Sequence, residues 1–179
     1  MTMIRPVRET FDHLERQRQQ FLEVLQGLTA AQLRFRPAAD AWNVVAVGHH
    51  VVLAERGTAA AIRKHLGMRS SKRRLEHRLG YLLLWAVLKT GLRVKNPVPE
   101  TAPDPDIDLA RLIELWETTR RELSDVLSEL SPRGLQYAAF KHPVAGPFTV
   151  EEALDFLVGH LDHHLRQVDR IRQDPSFPA

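Results

Sequence analysis

The chain has 179 residues, 44% of them hydrophobic and 26% charged, and a formal net charge of +3 at pH 7. That length supports one domain with a proper core and is short for two. The absence of cysteine excludes disulfides, thiolate metal sites, a cysteine nucleophile and CxxC redox chemistry, and it fits a reducing compartment.

The N-terminal segment MTMIRPVRETFDHLERQRQQ carries charge throughout and has no apolar stretch of the signal-peptide kind. Apolar residues at helical spacing predict a first helix over Val7 to Gln26, with Phe11, Leu14, Phe21, Val24 and Leu25 in one stripe and Gly27 as its terminator. RFRPAADAW reads as a connecting loop around Pro37. A second helix is expected from the N-cap Asn43 to Leu66. The stretch Arg63 to Arg78 then holds seven Lys/Arg against the single acid Glu76. It has no interleaved aromatics, so it reads as a solvated helix end and loop rather than a nucleic-acid site.

A third helix is expected over Lys72 to Thr90. Its most apolar run, YLLLWAVL from Tyr81 to Leu88, is far shorter than a membrane span. The expectation is a cytoplasmic protein with no membrane association. The four prolines of NPVPETAPDPD forbid a helix and predict an extended crossover. A fourth helix follows Asp108 and stops at Ser131-Pro132. KHPVAGPFTVEEAL reads as a Pro/Gly loop leading into a last helix, which Thr149 and Glu152 open as a capping box. No strand and no internal repeat is apparent. The expected architecture is one all-α domain over residues 1–179: a four-helix bundle with a long crossover and a minor extra helix.

Nine histidines are present, and five fall in two clusters: His49 and His50 on the second helix, His160, His163 and His164 on the last. His13, His65, His77 and His142 lie among charged or loop residues and read as surface histidines. His160 and His164 are four apart and share a face beside the leucine stripe. His163 is turned roughly 100° from His164, toward the side of Gly159 and Arg170. Ala46, Val47, Leu53, Ala54 and Gly57 flank His50 and make it the inward member of its pair, while His49 shares a more mixed face with Val45, Val52 and Arg56. A lone inward histidine is most often a hydrogen-bonded core residue. Three from two helices leave two options, a set of satisfied core rings or a shared metal, and spacing alone does not choose between them.

Two longer stretches add a family resemblance. LTAAQLRFRPAADAWNVVAVGHHVVLAE (Leu28 to Glu55) and HPVAGPFTVEEALDFLVGHLDHHLRQVDRI (His142 to Ile171) resemble the DinB/YfiT-like superfamily of bacterial metal-binding four-helix bundles, specifically its DinB-like branch. In that pattern a histidine follows a tryptophan by eight residues, as His50 follows Trp42, and an H-x-x-x-H pair with a trailing glutamine closes the chain, as His160, His164 and Gln167 do. The resemblance covers nearly the whole chain. It implies a divalent metal held by His50, His160 and His164, with zinc as the default and nickel or iron as alternatives. It also implies an activity of the kind found among such proteins: S-transfer from a low-molecular-weight thiol such as bacillithiol, mycothiol or glutathione, in detoxification or stress response.

A three-histidine centre with open positions suits a thiol, and it equally suits water, so a metal-dependent hydrolase is the alternative. A non-catalytic metal-binding stress protein is the other. Gln167 shares the face of His160 and His164, where it could contact a ligand ring or a substrate or simply lie on the surface. Glu55 and Asp162 point away from the ligand face, and Glu55 reads as a salt-bridging residue. Trp42, Trp85 and Trp116 read as core aromatics, Trp42 also as a staple at the start of its helix. Family members often pair through bundle helices, and the apolar YLLLWAVL run adds to the expectation of a homodimer. The second and last long helices must be adjacent for the three histidines to meet.

Overall fold

The computed structural model describes residues 3–66, 84–86, 88–90, 98–132, 134–136, 138–142 and 146–179. Four long helices carry the fold among these: α1 (Arg5–Gln26), α3 (Val44–His65), α4 (Leu109–Ser128) and α5 (Val150–Arg172), with a short α2 (Ala30–Arg34) after the first. Pro6, lacking an N–H that would go unused in a first turn, opens α1. Asn43 caps α3 by accepting the Ala46 N–H at 2.8 Å. Thr149 and Glu152 close a reciprocal capping box at the start of α5. Asp108 stands at the N-cap of α4 without a side-chain cap bond, and that helix ends at Ser128, earlier than Ser131-Pro132 suggests.

The expected adjacency of the second and last long helices holds. Helix α3 packs against both α4 and α5, and α1 packs against α5. The buried apolar residues form two clusters along the bundle. One contains Leu14, Ile62, Leu123, Leu127, Leu154 and Leu157; the other contains Phe21, Val47, Val52, Leu112, Trp116 and Leu161. Each helix crosses from one cluster to the other through buried polar residues: Gln17 on α1, Glu55 and Thr58 on α3, Thr119 and Arg120 on α4, and His160 on α5. A polar layer therefore divides the core.

Two local elements depart from expectation. Thr29 and Gln32 form a capping box that starts α2 between the expected terminator Gly27 and the loop expected from Arg34, a stretch whose spacing predicts no element. At five residues, α2 lies below the length at which helical periodicity can be read. The expectation of no strand is also overturned, because Ala138–His142 (β1) pairs antiparallel with Gly146–Thr149 (β2). Pro147 is tolerated there because a two-stranded sheet has only edges, and Gly146 takes the positive φ of 80° that a side chain would resist. The hairpin lies on α3 and α5 and adds to an all-helical bundle without changing its class.

Over its described residues, 98–108, the crossover is non-helical as its prolines require, apart from a 3-10 turn at Pro99–Thr101, and it turns again at residues 105–106. Most of the helix expected over Lys72 to Thr90 and of the basic run Arg63 to Arg78, and half of the Tyr81 to Leu88 stretch, lies outside the described residues; residues 84–86 and 88–90 are helical. Among the described residues no helix is long and apolar enough to cross a membrane.

Candidate metal centre

Packing α3 against α5 brings the three inward histidines together. His50, His160 and His164 are 7%, 9% and 6% exposed, so all three rings are in the core. His160 Nε2 lies 3.2 Å from His50 Nε2 and 3.1 Å from His164 Nε2. Among the described residues these three offer ligand atoms that all lie within 4.8 Å of one another. Trp42 packs on the His50 ring at 5.0 Å between centroids, and Phe156 stacks on His160 at 5.3 Å. Apolar faces thus close the cluster on two sides.

The outer nitrogens show where the protons sit. His50 Nδ1–H donates to the Thr101 carbonyl at 2.8 Å, and His164 Nδ1–H donates to Gln167 Oε1 at 2.8 Å. In a neutral ring, a proton on Nδ1 leaves Nε2 as a bare lone pair. Two lone pairs therefore face His160 Nε2, which has at most one proton to offer. One of the two close contacts must set lone pair against lone pair. Protonating a ring to relieve this is opposed by burial, which pushes all three pKa values down from the ordinary 6.5, those of His160 and His164 well below it; repulsion from neighbouring histidines, His163 among them for each ring, adds to the effect.

A cation at the point of convergence removes the conflict. Ligand nitrogens about 2.0–2.1 Å from a tetrahedral zinc stand about 3.3 Å apart, close to the 3.1 and 3.2 Å found here. Neutral imidazoles with their outer N–H groups held by a carbonyl or an amide oxygen are what metal-bound histidine needs. Among the described residues the buried His160 Nδ1 has no such partner. The residues present fit a divalent metal.

The remaining residues named from sequence are placed as follows. Gln167 holds a ring of the cluster through its bond to His164, one of the roles its spacing suggested. His49 is half-buried and points to the crossover, where its Nδ1 accepts the Asp104 N–H at 3.0 Å. His163 is half-buried with its ring edge on His164, centroids 5.1 Å apart, and it does not join the converging nitrogens. Asp162 is bonded to Gln17 of α1. Glu55 pairs with Arg120 at 2.7 Å and accepts the Trp116 indole N–H at 3.0 Å, the salt-bridging role expected of it, but fully buried. Burial pushes its carboxyl pKa up, while Arg120 and the indole pull it down. Trp116 is wholly buried.

His142 corrects the sequence reading. It is 9% exposed, stacked on Phe148 at 5.6 Å and edge-on to Phe156 at 4.9 Å, and burial pushes its pKa down to about 4. Phe140 and His142 alternate along β1 and so share a face. The signal was there, in the period-two pattern Phe140, Lys141, His142, but five residues of Ala-Ala-Phe-Lys-His are too few to stand out. Gly159 is a second missed feature. A Cβ there would lie 2.9 Å from the Trp85 ring, so the glycine next to His160 lets an indole close against α5. That contact explains a residue which otherwise costs a helix about 1 kcal/mol.

The sequence model of the DinB superfamily matches residues 13–168, a span that includes all three converging histidines. Neither a curated protein nor a solved structure matches the chain.

Proposed function

Because the chain belongs to the DinB superfamily, we propose that His50, His160 and His164 hold one divalent cation and that the protein is a metal-dependent S-transferase. Its co-substrate is a low-molecular-weight thiol of the bacillithiol, mycothiol or glutathione type, and its second substrate is a small electrophile. The observation that carries the metal assignment is the convergence of three buried Nε2 atoms, two of them lone pairs by virtue of their outer partners. Zinc is the first choice because imidazole suits it, with nickel and iron as the other candidates.

The chain's own residues have separable tasks. The Thr101 carbonyl and Gln167 hold protons at the Nδ1 atoms of His50 and His164 and so present Nε2 inward. Burial keeps the rings neutral at pH 7, which coordination requires. Phe156 and Trp42 screen the cluster from water. The cation itself supplies Lewis-acid charge that lowers the pKa of a thiol beside it.

One feature supports a thiol over water as the nucleophile. Hydrolysis calls for a carboxylate base, and the acids closest to the ligands along α3 and α5 are engaged elsewhere, Glu55 with Arg120 and Asp162 with Gln17. The test is consumption of several low-molecular-weight thiols with a generic electrophile, with and without zinc. Zinc-dependent thiol loss that His160→Ala abolishes is the expected result. Ester hydrolysis without thiol would transfer the site to the hydrolase reading, and metal binding without turnover to that of a non-catalytic metal-binding protein.

A further inference from the structure

Two consecutive histidines of α3 grip the same crossover by opposite hydrogen bonds. His50 Nδ1–H donates to the Thr101 carbonyl, and His49 Nδ1 accepts the Asp104 N–H three residues further on. The crossover is built to be held there. Its 3-10 turn is closed by Thr101 and Ala102 N–H groups bonding back to Val98 and Pro99, with the Thr101 hydroxyl also on the Val98 carbonyl. Asn43 Nδ2 donates to the Pro105 carbonyl at 2.9 Å. Pro103 and Pro105 flank Asp104 and have no N–H, so Asp104 supplies the one amide of that tripeptide, and His49 takes it. Proline fixes φ and shrinks the range the free segment can explore, which makes such a strap cheap to order.

From this geometry we infer that the crossover over residues 98–108 is a strap coupled to metal binding, and that His49 is a positioning residue acting through it. His49 fixes Asp104; the fixed strap sets the Thr101 carbonyl; that carbonyl holds the proton of His50 on Nδ1 and keeps Nε2 free for the cation. The inference rests on His50 being a metal ligand. Coupling of this kind is reciprocal, so whatever the strap adds to metal affinity the metal returns as strap order.

The experiment uses the full chain with zinc as the probe and needs no substrate. Zinc affinity is measured by competition with a chromogenic chelator, and exchange of the Asp104 amide hydrogen is followed with and without zinc. Losing an outer partner of a metal-bound histidine costs about 10–100-fold in affinity; His49 acts one link further out, so His49→Ala is expected to weaken zinc by about 3–10-fold. His49→Asn, whose amide oxygen can stand near the Nδ1 position and accept the same N–H, is expected to restore most of that loss. Zinc is expected to slow Asp104 exchange in the wild type and to do so far less in His49→Ala. The inference is overturned if zinc leaves Asp104 exchange unchanged, or if His49→Ala binds zinc as the wild type does. It is also overturned if His49→Asn is as weak as His49→Ala. Failure of the underlying metal reading looks different: the wild type, and His50→Ala with it, would show no competition with the chelator at all.

Discussion

The bundle buries two polar clusters, and they handle the cost of burial in opposite ways. At Glu55, Arg120 and Trp116 a carboxylate meets a guanidinium at 2.7 Å and an indole N–H at 3.0 Å, with Glu15 a further carboxylate 3.8 Å from Arg120. Charge there answers charge, although Nε and Nη1 of Arg120 and Oε2 of Glu15 make no hydrogen bond among the described residues. At His50, His160 and His164 the outer nitrogens of two rings are satisfied while the inner ones confront each other. A cation at that point would satisfy the inner nitrogens together. The contrast teaches how to recognise a candidate binding site inside a core: opposite charges paired with each other fix the packing, whereas acceptors aimed at one another suit a cation from outside.

The largest effect should come from breaking the ion-paired cluster. Arg120→Ala leaves Glu55 buried without its cation, and unpairing a buried ion pair costs about 3–5 kcal/mol; urea unfolding should show that loss. Replacing both partners, as in Glu55→Met with Arg120→Met, should recover most of it, because a well-packed apolar pair of similar volume can match a buried salt bridge. A double variant no more stable than Arg120→Ala would mean that the pair supports the core in some way other than charge compensation.

Acid should separate the clusters next. A histidine whose folded pKa is depressed binds its proton more readily unfolded, so its contribution is whole above the unfolded value near 6.5 and is lost as pH falls from there toward the folded pKa. For His142, pushed down to about 4, that window runs from pH 6.5 to about 4 and the loss totals about 3 kcal/mol. The three converging histidines add to the loss in the same direction. In the metal-free protein, His142→Phe should therefore flatten the fall in stability between pH 7 and pH 4.5 relative to the wild type. Parallel curves for the two proteins would contradict the buried neutral ring.

A smaller change sharpens the second cluster alone. Gln167→Ala removes the acceptor that holds the His164 proton on Nδ1, so zinc affinity should fall by about 10-fold or more while urea stability of the metal-free protein hardly moves. Unchanged affinity would place Gln167 outside the centre. Smallest of all, Asn43→Ala removes the cap of α3 and a bond to the crossover, at a cost of about 1 kcal/mol, which a thermal melt can detect.

What the sequence reveals follows the range of each interaction. The caps at Asn43 and Thr149 and the His160/His164 pair depend on neighbours within one turn of helix, so spacing exposes them. The joining of His50 to that pair needed the packing of α3 on α5, which amphipathic faces imply and the resemblance to the DinB-like proteins reinforces. Glu55 was legible as a salt-bridging residue but not as a buried one, because its partner lies 65 positions away. Arg120 sits at i+4 from Trp116, within the line Leu112, Trp116, Leu123, where a charged residue on a buried stripe is the only clue. The Thr101 carbonyl is invisible to any reading of side chains, since a backbone acceptor leaves no residue signature. His142 was misplaced because a short hairpin offers too little alternation to compete with its Pro/Gly punctuation.

The central claim is tested most directly by zinc stoichiometry at equilibrium in the wild type and in alanine variants of His49, His50, His160, His163 and His164, with circular dichroism confirming that each remains helical. The account predicts one equivalent bound by the wild type, His163→Ala and, more weakly, His49→Ala, and little or none by His50→Ala, His160→Ala and His164→Ala. Equal loading across all five variants would contradict it.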